Sequence, residues 1–344
     1  MFFSRLKQRI SDQYRLLKWL YVNAHNKDLV LFTADERWNS VKNSFFQNGR
    51  FVIHSEQLNC LKQGLDQRSC NTIELFVQRT LQAAPFFNRD VGLEMMLKVS
   101  SIKNWFTDEE KRLWAEWLAV EKDTLRKYQL DRMDISVGYM HHGLRFASEN
   151  IKNYIQSKTF IDAGAYIGDS SLVLLEYQPL DIIAFEISEK NAESYLETMQ
   201  KNSVDESKYT LVQKGLGAEP HKIFYADTGE ENTNLLVHGC SEVEIMPLDA
   251  YLDGKNKQIG FIKADVEGAG LDMVKGMTET LKKDRPVLAL AAYHSPDEFL
   301  KIKPFIKDLQ LNYQFEFQNH YSEYGYGDFV LFAYPRELVH ADCE

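Results

Sequence analysis

Three groups of residues in this 344-residue chain have types and spacing suited to chemistry. The first is Phe160-Ile161-Asp162-Ala163-Gly164-Ala165-Tyr166-Ile167-Gly168-Asp169-Ser170, an acidic, glycine-bearing turn between a short apolar strand and the start of a helix. Glycines let a ligand approach the backbone, and the first N–H groups of a helix are unpaired within it. In doubly wound α/β folds such a turn is a nucleotide site, which nominates Asp162, Gly164, Ala165, Tyr166, Gly168 and Asp169. A second strand, Asp181-Ile182-Ile183-Ala184-Phe185, runs into Glu186 and Ile187. An acid about 20 positions beyond the turn is where a ribose diol is gripped. The plainer alternative makes Glu186 a solvated charge before the helix that opens at Ser188, where negative charge is favoured. Its place at a strand end favours the ribose reading. Tyr166 stands where the dinucleotide fingerprint has its second glycine, so a pyrophosphate fits this turn less well.

The second group is Lys263, Asp265 and Glu267, at the end of an apolar run that reads as the fourth parallel strand. If the strand extends that far, alternation sends all three to one side. Buried charges need partners, so a Lys263–Asp265 or Lys263–Glu267 ion pair is expected, with Lys263 setting the state of the carboxylates. Asp265 would sit beside a cofactor held at the glycine turn, and Glu267 beside its substrate. The two acids could hold a divalent metal, but no further acid clusters with them in sequence, and no metal centre is expected. The third group is Tyr293-His294, closing the fifth strand just before Ser295-Pro296, and His320 with Tyr321, Tyr324 and Tyr326 in a late polar loop. His294 and Asp265 are the candidate bases for removing an acceptor proton. Tyr293, His320 and Tyr321 are candidate walls of an acceptor pocket suited to a sugar or other polar ring.

Positioning these residues requires a particular order of elements. From residue 159 strands (159–162, 181–185, 209–213, 259–265, 286–292) alternate with helices near 170–177, 188–201, 271–282 and 296–309, the pattern of a mostly parallel sheet with helices on both faces. A shorter strand pair is expected at 221–226 and 242–246. Tyr313–Gln318 and Phe329–Tyr334 are joined by a loop too short for a crossover helix, and so pair antiparallel. The predicted fold is α/β, a doubly wound, mostly parallel seven-stranded sheet closed by an antiparallel C-terminal hairpin, with a helical N-terminal region. The domain division expected is 1–150, helical and accessory, and 151–344, carrying the site. In the first part, residues 4–21 and 70–100 show helical stripes, the latter broken near Pro85. Thr107 and Glu110 have capping-box spacing and open a helix to about Leu130. Its Leu113, Trp114, Trp117, Leu118, Leu125 and Tyr128 form a buried side, so the tryptophan pair reads as core rather than as a sugar platform. A β-like Ile135–Met140 and a helix from Ser148 to Gln156 lead into the first strand.

The net charge is −10, but residues 1–150 carry +4 and the remainder −14. An acidic site-bearing half repels a phosphate backbone, which argues against nucleic-acid partners. Cys60, Cys70, Cys240 and Cys343 form no Cys-x-x-Cys and no cluster with histidine. They read as reduced packing thiols. No run approaches the roughly 18 apolar residues of a membrane span, and the opening charges interrupt any signal-peptide core. A cytoplasmic protein without integral membrane contact is expected. The basic amphipathic stretch 4–21 reads as a helix docked on its own domain, and the N-terminal helical region as a surface for self-association.

Four segments together resemble the FkbM-type methyltransferase family: Phe160–Asp169, Leu248-Asp249-Ala250-Tyr251-Leu252, Ile262–Ala269 with Val274-Lys275-Gly276, and Tyr293–Asp297. Parallel strands closed by an antiparallel hairpin are also the architecture of class I S-adenosyl-L-methionine (SAM) dependent methyltransferases. The resemblance spans roughly 155–335. It implies SAM as cofactor and transfer of a methyl group to a hydroxyl of a small molecule or glycan. A degenerate methyltransferase fold serving as a scaffold is the alternative, and a NAD-dependent oxidoreductase a more distant one. Gly270 stands where a glutamate usually follows Glu-Gly-Ala, and Tyr166 where asparagine is frequent.

Overall fold

Seven strands form the central sheet of this protein, a computed structural model that describes residues 45–47, 50–83, 106–225, 227, 241–320 and 328–339. In chain order, a small hairpin β1 (Phe46–Gln47) and β2 (Arg50–Phe51) precedes α1 (Ser55–Lys62), α2 (Gln67–Ala83), α3 (Asp108–Lys127), α4 (Ile135–Gly138) and α5 (Glu149–Ile155). The sheet-forming part follows with β3 (Thr159–Ala163), α6 (Asp169–Leu174), β4 (Ile182–Phe185), α7 (Glu189–Lys201), β5 (Tyr209–Val212), β6 (Gly215–Leu216), β7 (His221–Tyr225), β8 (Ser241–Met246) and α8 (Leu248–Leu252). It ends with β9 (Ile259–Ala264), α9 (Gly270–Lys275), α10 (Thr278–Asp284), β10 (Val287–Ala291), α11 (Pro296–Asp308), β11 (Tyr313–Asn319) and β12 (Phe329–Pro335).

The strand order is β11-β12-β10-β9-β3-β4-β5, with β12 antiparallel to both of its neighbours. Every residue of β3, β4, β9 and β10 is buried, as strands covered on both faces must be. The predicted strands and the antiparallel closing pair are present. The pair near 221–246 lies in a separate sheet of order β6-β8-β7. Among the described residues, no helix is long and apolar enough to cross a membrane. The stripe at 4–21, residues 84–105 and the tyrosine loop from Tyr321 lie outside the described residues.

One sequence expectation fails here. Ile135–Met140 is not a strand but α4 and the turn after it, with Val137 and Gly138 donating to the Asp134 carbonyl. All its residues are buried, so its apolarity reflects burial on several sides rather than one face of a sheet.

The N-terminal elements share the core of the sheet. Phe76 of α2 stacks on Phe329 (4.6 Å between centroids) and Phe299 (5.1 Å), inside a cluster that also holds Phe45, Leu61 and Ile73. Ser69 accepts a hydrogen bond from the Phe317 N–H at 3.1 Å, so α2 partly covers the exposed edge strand β11. Lys303 of α11, 3% exposed, donates to the carbonyls of Leu61 (2.6 Å) and Gln63 (2.8 Å) at the end of α1. The predicted capping box is present at the start of α3, where Thr107 Oγ1 accepts from the Glu110 N–H and Glu110 accepts from the Thr107 N–H. Glu110 does more than cap. Its carboxylate meets Arg79 of α2 in a two-armed pair at 2.5 and 2.6 Å, both side chains 2% exposed. Trp114 and Trp117 are core residues, as expected.

Removing one member of a buried pair leaves the other charge desolvated. Glu110→Gln is therefore expected to lower unfolding stability by about 3–5 kcal/mol, against about 1 kcal/mol for Thr107→Ala. Urea denaturation followed by circular dichroism measures both; equal losses would mean the pair adds nothing beyond the cap.

Candidate active site at the carboxyl edge of the sheet

The strand order reverses between β3 and β9, and the loops at their carboxyl ends meet at this switch point. Lys263 is the post beneath them. It is 4% exposed, lies opposite Asp162 in the β3–β9 register, and contacts its Oδ1 at 3.2 Å. Its Nζ also donates to the Gly164 carbonyl at 2.7 Å. Burial opposes this charge, but Asp162, Asp265 and Asp169 outweigh it and hold the lysine above its ordinary pKa. The expected Lys263–Asp265 or Lys263–Glu267 contact is thus replaced by Lys263–Asp162. The cause is that β9 ends at Ala264, so alternation does not reach the two acids. Asp162 has no exposed surface and accepts from Ser171 at 2.7 Å; it braces the turn from below rather than offering a carboxylate to a ligand.

Above this post runs the glycine turn. Gly164 and Ala165 both donate to the Phe185 carbonyl, Gly168 takes a left-handed φ of 88° before α6, and Gly164, Tyr166 and Ile167 are half-buried. Glu186, 6% exposed, receives the Tyr166 N–H and the Ser188 N–H, each at 2.8 Å. It bridges the turn to the start of α7, with the half-buried Ile187 beside it. Burial pushes its pKa up against those two donors. Asp169 accepts from the Ser170 N–H. Arg132, from the segment before α4, hydrogen-bonds the Tyr166 hydroxyl.

Beside the turn, Asp265, Glu267 and His294 converge, with one ligand-capable atom from each within 4.8 Å of the others. His294 Nε2 lies 3.2 Å from Asp265 Oδ1 and 3.8 Å from Glu267 Oε2. Its Nδ1 and backbone N–H face Glu298 Oε2 at 3.1 and 3.2 Å. Burial opposes its protonation, yet Glu298, Glu267 and Asp265 raise its pKa well above the ordinary histidine value, and Asp265 is lowered to about 2. These carboxylates favour the protonated form of His294. The expectation that it is a ready general base is corrected, because three carboxylates surround it where the sequence offered one. The Tyr293 ring lies against that of His294, with 4.0 Å between centroids.

His320 does not wall an acceptor pocket. It is wholly buried at the end of β11, accepts or donates at Gln318 (3.0 Å), and is pushed down to about 3 by burial. Tyr321 lies outside the described residues.

Two contributors had no counterpart among the sequence candidates. Glu298 was findable, since Ser295 and Glu298 have capping-box spacing and Ser295 does accept from the Glu298 N–H. His142 carried no such signal. It sits in a left-handed run (His141 φ 50°, His142 φ 53°, Gly143 φ 92°), is 8% exposed, and meets Ser170 Oγ at 2.9 Å at the first turn of α6. Burial, and then Lys263, lower its pKa well below the usual value, so it is neutral. Asp249 of the Leu-Asp-Ala-Tyr-Leu pentad is structural, taking the N–H groups of Glu279 and Thr280 (both 2.8 Å) at the start of α10.

Gly164 is glycine for the sake of the fold. With φ at 76°, a Cβ there would lie 1.9 Å from the Asp265 carbonyl oxygen, so the tight spot is backbone against backbone rather than space for a ligand. Gly164→Ala and Gly164→Val are both expected to lower the melting temperature markedly, by more than the roughly 4–8 °C that about 1 kcal/mol causes in a small domain. Differential scanning calorimetry checks this; a folded valine variant of native melting temperature would contradict the packing described.

Solved structures resemble this chain at low identity. An FkbM methyltransferase from Methylobacillus flagellatus is 18% identical, with 74% of this chain and 69% of that one covered at a TM-score of 0.44. A rRNA methylase from Streptococcus thermophilus is 13% identical (60% and 98% covered, TM-score 0.38), as is a magnesium protoporphyrin IX methyltransferase from Synechocystis with bound SAM (67% and 99%, 0.37). No match to a curated protein sequence was found. Residues 162–317, which hold the glycine turn, Glu186, Lys263 and the acid–histidine cluster, match the family model of the methyltransferase FkbM domain.

Proposed function

We propose that the protein is a SAM-dependent O-methyltransferase acting on a hydroxyl of a small molecule or glycan. The observation that carries this reading is the glycine turn at the switch point of a methyltransferase-family sheet, tied through Tyr166 N–H to Glu186 at the end of the next strand. The residues fit the cofactor: a half-buried turn for its amino-acid end, a carboxylate held by two backbone donors for its ribose, and Ile187 beside the adenine position. SAM supplies an electrophilic methyl group, and methyl transfer is an in-line displacement in which alignment accounts for much of the acceleration. The chain's part is to hold donor and acceptor in register over Asp265 and Glu267, whose side chains are 37% and 32% exposed on the same edge. The negative half of the chain disfavours nucleic-acid acceptors. A cytoplasmic location, and self-association through the N-terminal region, complete the proposal.

Isothermal titration of the full chain with SAM and S-adenosylhomocysteine is expected to show one site, and NADH none. Glu186→Ala should weaken SAM by about 1.5–3 kcal/mol, the worth of hydrogen bonds to a charged group. A folded protein that takes neither ligand would make the domain a scaffold, and NADH binding would make it an oxidoreductase.

A further inference from the structure

We propose that Asp265, Glu267 and His294 form a site for one divalent cation of the Mn²⁺ or Mg²⁺ class. The three side chains come from two loops, β9–α9 and β10–α11, that the sheet brings together. The ligand-capable atoms already lie close to the spacing of neighbouring ligands on one ion. With metal–ligand bonds of about 2.0–2.2 Å, such atoms sit about 3 Å apart, and His294 Nε2 is 3.2 Å from Asp265 Oδ1 and 3.8 Å from Glu267 Oε2.

Two further observations point to a ligand rather than to a closed ion pair. Asp265 Oδ1 is buried and, among the described residues, has no hydrogen bond of good geometry, only the His294 Nε2 contact at 3.2 Å. A buried carboxylate oxygen with one poorly aligned partner is under-satisfied, and a cation relieves that cost. On its far side, His294 Nδ1 meets Glu298, which is 1% exposed and whose other oxygen takes the Gly270 N–H at 2.9 Å. This is the carboxylate–histidine arrangement that fixes the tautomer and aims Nε2 at a metal. It depends on Gly270, because a Cβ there would lie 2.7 Å from Glu298 Oε1.

The donor set selects the ion class. One imidazole and two carboxylates, with no thiol among them, suit hard or borderline divalent ions. Binding the ion displaces the proton from His294 Nε2 to solvent, and the two carboxylates then balance the ion's charge. His294 and Glu298 are buried, while Asp265 and Glu267 are partly exposed, so the open coordination positions face solvent beside the glycine turn. An acceptor hydroxyl bound to the ion would lose its proton more readily. Two adjacent oxygens would chelate, making a vicinal diol the favoured acceptor. That last step rests on the proposed methyl transfer; the cation site does not.

The test uses the full chain, stripped with EDTA and titrated with Mn²⁺ without SAM, reading free Mn²⁺ by electron paramagnetic resonance. One saturable site is expected. Glu267→Gln and Asp265→Asn should each weaken it at least about tenfold, and Glu298→Gln by about 10–100-fold as the group orienting the histidine. Asp272→Asn, an acid on α9 that pairs with Lys275, should leave it unchanged, with circular dichroism verifying the fold of each variant. Absence of saturable binding at millimolar Mn²⁺, or binding indifferent to Glu267→Gln and Asp265→Asn, would overturn the site. Mn²⁺ binding in a protein that ignores SAM would sink the methyl-transfer reading alone; SAM binding without Mn²⁺ would sink this one alone.

Discussion

A buried lysine holds the carboxyl edge of this sheet together. Lys263 is nearly inaccessible at the point where the strand order reverses, and it touches both the Asp162 carboxylate and the Gly164 carbonyl. A lone ammonium there would be prohibitively costly, so the acid opposite it on β3 is part of the same feature. The glycine turn is thereby tied to the strand that leads into the acids. The Asp265 N–H donates to the Ala163 carbonyl, and Gly164 packs against the Asp265 backbone without room for a single added carbon. Glycine turn and acid loop are packed backbone against backbone, which suits the proposed transfer, a reaction that depends on alignment.

Charge at this edge is arranged in two layers. Below lies Lys263–Asp162, closed to solvent; above it lie Asp265, Glu267 and His294, partly open. Glu298 reaches in from α11 to orient the histidine, using the space left by Gly270. The departure from the family pattern at position 270 thus has a physical counterpart. A side chain there would displace the carboxylate that arrives from α11, twenty-eight residues further along the chain.

The helical N-terminal elements are not an appendage hung on the sheet. α2 sets Phe76 among the core aromatics and Ser69 on the edge strand, while Arg79 locks it to α3 through Glu110. The segment after α4 then delivers a neutral, strained His142 to the first turn of α6. Left-handed backbone at a non-glycine residue is stable only where the surroundings enforce it. Here those surroundings are Ser170 on one side and, beneath Gly143, the Gln318 and Phe332 side chains.

Local chemistry made much of this legible from the amino-acid order. Apolar runs bounded by turns marked the strands, because strands covered on both faces lack a polar side. The short link between Gln318 and Phe329 required an antiparallel pair, and Thr107 with Glu110 announced a helix start, since each depends on residues a few positions apart. The glycine turn and Glu186 were visible for the same reason, and the structure links them directly. What the order could not settle was who partners whom across the sheet. Lys263 pairs with Asp162 rather than with its near neighbours because strand register and the end of β9 at Ala264 decide it. His294 looked like a base because it closes a strand; that Asp265, a left-handed loop residue (Glu267) and a helix cap (Glu298) all surround it is decided by the fold. Gly164 looked like a ligand-contact glycine, and His320 like a pocket wall, because burial is a property of what packs on a residue from elsewhere in the chain. Ile135–Met140 has an apolar pattern that fits strand or buried helix equally, and in the fold it is a short helix packed against α3 and α6. Secondary structure followed from short-range sterics and hydrophobic pattern, whereas protonation and function at this edge were set by long-range contacts between charges that only the folded chain brings within a few ångströms.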